Sequence, residues 1–83
     1  MEGRLKIVLE SSNYRLLEAI YNALYPETIQ PPSTECRISQ EIIHGKLLIL
    51  IECDRINLLR AVTNSYLGVI SSLLESLEGM NVE

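Results

Sequence analysis

Two cysteines, a single histidine and an arginine–asparagine pair are the residues whose types and spacing could do chemistry in this chain. Cys36 and Cys53 lie at equal separations from His44-Gly45. A chain that folds back at that dipeptide sets them face to face, in the close, non-hydrogen-bonded kind of cross-strand pair. Such a pair can be a disulfide or two buried thiols, and thiols are the expected state in a cytosolic protein. A closed zinc site would need further thiols or imidazoles at the same place, and the one histidine belongs to the turn. His44 itself reads as a turn residue that tolerates unusual backbone angles. Nucleophilic catalysis needs a base within hydrogen-bond reach of its nucleophile, and no convergent trio of that kind is present. Glycine-rich phosphate loops and the Gly-x-x-Gly nucleotide clamp are missing as well. The expectation is a non-enzyme with no catalytic residue, no metal and no cofactor. Arg60 and Asn64 remain, one helical turn apart, as a solvated polar face or as polar specificity at a partner contact.

The element that positions that pair is the longest in the chain. From Asp54 to Gly79, apolar residues fall at 59, 62, 66, 69/70, 73 and 77, a helical period that predicts one amphipathic helix. Asp54 is placed to be its N-cap, and Gly79 followed by Asn81 to be its stop. At roughly 1.5 Å per residue the helix is about 35 Å long, so part of it should overhang any sheet beneath. Ala61, Ser65, Gly68, Ser72 and Ser76 fall on one side of it as a groove of small residues. That groove either receives the chain's own first helix, faces water, or is a docking seam for a partner helix.

Upstream, Arg4 to Glu10 alternates, with Leu5, Ile7 and Leu9 on one face, and predicts a strand. Ser11-Ser12-Asn13 offers three candidate N-caps for a first helix carrying Leu17, Ile20 and Leu24. Pro26 is expected to end it after about three turns. Tyr14, Tyr21 and Tyr25 flank its apolar stripe, as a shield for the core edge, a contact stripe for a partner, or a surface for stacking on bases. Pro26 to Ser33 reads as an extended, mobile connection. Thr34–Ile43 and Lys46–Cys53 then predict a hairpin about His44-Gly45, with facing residues Ile42/Leu47, Gln40/Ile49, Ile38/Ile51 and Cys36/Cys53. One face of this hairpin is apolar apart from Gln40 and should lie under the two helices. The other carries Arg37, Ser39, Glu41, Lys46 and Glu52, with Ile43, Leu48 and Leu50 at its middle and Val8 joining from the first strand. These four aliphatics are scattered exposed residues or the contact of a sheet packed on a second copy.

The fold expected is therefore α+β: a two-layer sandwich of a three-stranded antiparallel sheet with two helices on one face, in the order strand, helix, strand, strand, helix. The first strand should pair with the hairpin's second. Residues 1–83 form one domain with an aliphatic core, since the chain has neither Trp nor Phe. A net charge of −4 argues against autonomous nucleic-acid binding, which phosphate neutralisation by cations drives. The longest apolar run, Leu47 to Ile51, is too short to span a bilayer and no signal pattern opens the chain, so the expected setting is cytoplasmic, with no membrane contact.

The run Leu59-Arg60-Ala61-Val62-Thr63-Asn64-Ser65-Tyr66-Leu67, the Ala19-Ile20-Tyr21-Asn22-Ala23-Leu24 segment, Pro26-Glu27, and the Gly45 hairpin leading into Leu47–Cys53 together resemble the small dimerising, Pcc-type subunit of the KEOPS complex. That family is related to the CTAG tumour antigens. The resemblance covers nearly the whole chain. It implies a non-catalytic scaffold that dimerises with itself or a paralogue. Its helices would dock the threonylcarbamoyltransferase subunit, and through it the kinase-like subunit and tRNA, in the assembly that makes threonylcarbamoyladenosine in tRNA. On this sequence the transferase contact falls on Arg60, Ala61, Asn64, Ser65, Gly68 and Ser72, and the dimer contact on Val8, Ile43, Leu48 and Leu50. One departure stands out. Gly68-Val69 replaces the basic and aromatic residues that often follow the Asn-Ser-Tyr-Leu run, and Glu75 and Glu78 occupy the last turns. That composition opposes direct tRNA contact through this helix. It leaves room for a paralogue that pairs with the standard subunit and caps a second transferase site, or, by layout alone, for a KH-like RNA-binding module.

Overall fold

The computed structural model describes residues 3–78. Its elements follow the expected order: strand β1 (Gly3–Glu10), helix α1 (Tyr14–Ile29), strands β2 (Cys36–Ile43) and β3 (Lys46–Cys53), and helix α2 (Ile56–Glu78). The sheet is antiparallel with β3 at its centre, in the order β1-β3-β2. Every hairpin pairing expected from the turn is present, from Ile42 opposite Leu47 to Cys36 opposite Cys53. His44 and Gly45 both take positive φ, 49° and 76°, as a two-residue primed turn requires. The first strand closes against β3, with Ile7 opposite Ile49.

Both helices cover the same face of this sheet. Leu47, Ile49, Ile51 and Cys53 of β3 are fully buried beneath Leu17, Ile20 and Leu24 of α1 and Leu59, Val62, Tyr66 and Ile70 of α2. Helix α2 comes so close to the start of β1 that a Cβ on Gly3 would stand 2.6 Å from a methyl of Leu59. Glycine at that position lets the first turn of α2 settle on the strand end. Gln40 is the one polar residue in the otherwise apolar inner layer of the hairpin. Its side-chain N–H donates to the Tyr21 carbonyl at 2.8 Å, which ties β2 to α1.

Several boundaries differ from those expected. Helix α1 does not stop at Pro26 but runs on to Ile29, so the first half of the supposed extended connection is helical. Proline costs a single N–H here, and the turn is closed around it: the Gln30 amide donates to the Pro26 carbonyl and the Thr28 hydroxyl to the Tyr25 carbonyl. Of the three candidate caps Asn13 is the one used, its side chain accepting from the Leu16 amide. Strand β2 begins at Cys36 rather than Thr34, because Thr34 and Glu35 form a turn in which the Cys36 amide bonds the Ser33 carbonyl. Asp54 is not the N-cap of α2. Its amide is drawn to the Glu35 carbonyl, and the first helical bond runs from the Leu59 amide to the Arg55 carbonyl, so Arg55 takes that place. The Gly79/Asn81 stop, and the side chains of Ser76 and Leu77, lie outside the described residues.

Where two thiols were expected, Cys36 and Cys53 form a cross-strand disulfide. The register sets them directly opposite each other, with their Cα atoms 4.1 Å apart. Among the described residues no helix is long and apolar enough to cross a membrane, and no cluster of His, Cys, Asp and Glu could hold a metal ion.

Candidate functional site

A cleft of about 260 Å³ opens between the second half of α1 and the middle of α2. It follows from the sequence that α1 and α2 lie side by side on one sheet, each turning its apolar stripe down. Several residues on their facing flanks, Ala23, Ala61 and Ser65, are small. Ala23 and Glu27 come from α1, Pro32 from the following loop, and Ala61, Ser65 and Val69 from α2. Leu24, Val62 and Tyr66 form its floor. Small side chains cannot fill the space between two helix axes, so a concave apolar strip is left open to solvent. Val69 stays exposed at its rim.

Tyr66 and Glu27 fix the polar centre of the cleft. The buried phenol donates to Oε1 of Glu27 at 3.1 Å across the two helices. Burial first, then this hydrogen bond and the charge of Glu27, push the Tyr66 phenol well above its ordinary range. A neutral donor is thereby locked onto a carboxylate, and the cleft keeps one acidic group on an apolar floor.

The six residues expected to contact a partner are divided by the tertiary structure. Ala61 and Ser65 line the cleft. Arg60, Asn64, Gly68 and Ser72 are exposed on α2 outside its lining. Gly68 faces open space, since a Cβ there would meet nothing within 4 Å. The small-residue side of α2 therefore does not receive α1 as a whole: part of it borders the cleft and part faces water. Sequence reasoning passed over Glu27, Pro32, Tyr66 and Val69. Tyr66 carried a usable signal, because a tyrosine in an apolar helical stripe must find a partner for its hydroxyl. Glu27 carried none while Pro26 was read as the helix end.

The outer face of the sheet is the second candidate surface. The register forms rows across it: Val8, Leu48 and Glu41; Lys6, Leu50 and Ser39; Arg4, Glu52 and Arg37. Val8 is half exposed, whereas Leu48 and Leu50 are partly covered by their cross-strand neighbours. Ile43 stands opposite Lys46 at the hairpin end, a corner of the face rather than its middle. Arg4 and Glu52 form an ion pair at 3.2 Å beside this patch. Of the tyrosines of α1 only Tyr21 packs against the core edge; Tyr14 and Tyr25 are exposed, and Tyr21 and Tyr25 stack with ring centroids 6.0 Å apart.

A family model described as transcription factor Pcc1 matches residues 4–78, nearly the whole chain. No individual curated protein matches it.

Proposed function

The chain belongs to the Pcc1 family of KEOPS-type subunits, and on that premise we propose that it is a dimeric scaffold which docks the threonylcarbamoyltransferase subunit of that assembly and so supports threonylcarbamoyladenosine formation in tRNA. Family membership carries the general role of a non-catalytic subunit with protein partners. The observation that supports the finer reading is the open cleft between α1 and α2. Its small walls at Ala61 and Ser65 admit a partner helix at close range, its floor offers apolar contact, and Glu27 offers a charge for that helix to meet. Arg60, Asn64, Gly68 and Ser72 continue the contact along the exposed flank of α2. The second half of the proposal is a dimer formed through the outer sheet at Val8, Leu48, Leu50 and the Ile43 corner, which leaves both clefts outward. The proposed setting is the cytoplasm. A net charge of −4 favours contact with tRNA through the assembly rather than by this chain alone.

Affinity capture of the tagged chain from its native cells, read by mass spectrometry, tests this. Recovery of a transferase together with a small kinase-like protein is expected. A second small protein of similar sequence in stoichiometric amount would make the dimer a pairing with a paralogue. Capture of neither transferase nor kinase-like protein would overturn the docking role and leave the family likeness as one of fold.

A further inference from the structure

We propose that the free edge of β2, together with the tyrosine-bearing flank of α1, is a docking site for an extended basic segment of a partner protein, which adds to the sheet as a fourth strand. Because β3 is central, β2 is an edge strand. Counting outward from the two-residue turn, the register turns the backbone N–H and C=O groups of Ile38, Gln40 and Ile42 away from β3. None of these groups bonds another part of the backbone outside the sheet. At Cys36 the row ends, since that amide is already taken by Ser33. Three alternate residues along the strand thus present a donor and an acceptor at an open edge, the arrangement that strand addition uses.

What lies beside the edge selects the occupant. A shelf of about 320 Å³ runs between β2 and α1, lined by Tyr14, Glu18, Tyr21, Asn22, Glu41 and Ile42. Two aromatic rings and an isoleucine supply apolar contact for alternate side chains of an added strand. Glu18 and Glu41 are exposed carboxylates, and no lysine or arginine lines the shelf. Lysine or arginine side chains on the incoming segment would lay their methylene stems on the tyrosines and their charges against the glutamates. A second copy of this chain joined edge to edge would instead bring two such acidic shelves to one seam, which the charges oppose. This surface lies on the flank of α1 away from the interhelical cleft, so the inference does not rest on the transferase reading.

The test is a titration of the isotope-labelled full chain with a short, end-blocked peptide alternating lysine and valine, followed by NMR. Saturable shifts at Tyr14, Tyr21 and Ile42, with slowed exchange of the Ile38, Gln40 and Ile42 amides, are expected. The charge-reversed chain Glu18→Lys/Glu41→Lys should bind about tenfold or more weakly while keeping its circular dichroism and its capture of other subunits. A glutamate–valine peptide, and a lysine peptide with proline at alternate positions, should both fail. Absence of saturable binding, shifts centred on β1 or the cleft, or equal binding by the charge-reversed chain would each overturn the proposal.

Discussion

Tyr66 links the two helices through its hydrogen bond to Glu27, and its chemistry sets a pH signature. Its phenol is raised in the folded chain above the ordinary tyrosine value of 10.0 by burial and by Glu27. The unfolded chain can release that proton above about pH 10 while the folded chain holds it, so the contribution is fully present below that pH and is lost as pH rises beyond it. Tyr66→Phe should cost about 1 kcal/mol at neutral pH through the lost hydrogen bond. It should also flatten the fall of stability above pH 10, both read by urea unfolding across pH. Thr63 gives the opposite sign. It is buried at 7 % exposure and its hydroxyl oxygen has no partner. Valine has the same shape without the polar atom and a similar helix propensity, so Thr63→Val should raise stability by about 1 kcal/mol in the same assay. The sequence signals that the Tyr66 hydroxyl needs a partner but not that the partner is Glu27, and it marks Thr63 as one more helical residue without saying what its hydroxyl meets.

At the scale of elements, α2 was legible because its apolar period persists over many turns, and β2–β3 because a two-residue turn fixes the register of the whole hairpin. The end of α1 was not. A proline signals the loss of one N–H, but whether the helix stops depends on the bonds around it, here at Tyr25, Pro26 and Gln30, and on Glu27 being held by a distant tyrosine. The start of α2 was missed for a similar reason, since Asp54 makes a non-local bond to Glu35. The exposed flank of α2 offers a test that separates folding from docking. Gly68 is helical, exposed and unobstructed. Gly68→Leu should therefore stabilise the isolated chain by about 0.5–1 kcal/mol, as leucine is the better helix former. If the transferase helix packs there, the same change should weaken capture of the transferase and leave the dimer intact. Unchanged capture would confine the contact to the cleft at Ala61 and Ser65.

For the molecule as a whole, the question is what covers the outer sheet. Helices occupy one face only, and the other combines Val8, Leu48 and Leu50 with ion-pairing charges. Leu48→Glu should halve the mass seen by light scattering while leaving the inner core untouched, because Leu48 points away from it. A dimer that persists in this variant would exclude sheet-on-sheet association. The sequence by itself determined the order of elements, the hairpin register and the inward face of each strand, since these follow from periodicities of two and 3.6 and from one turn that admits little else; the family came instead from the likeness of its residue runs, with the family match over residues 4–78. It also placed Cys36 opposite Cys53 but not their bond. Only the tertiary structure decided that bond, the division of the small-residue side of α2 between cleft and solvent, the Tyr66–Glu27 link, and the open edge beside the tyrosine shelf. Each of those depends on distances between segments far apart in the chain, and such distances are set by how the layers settle together rather than by any local pattern.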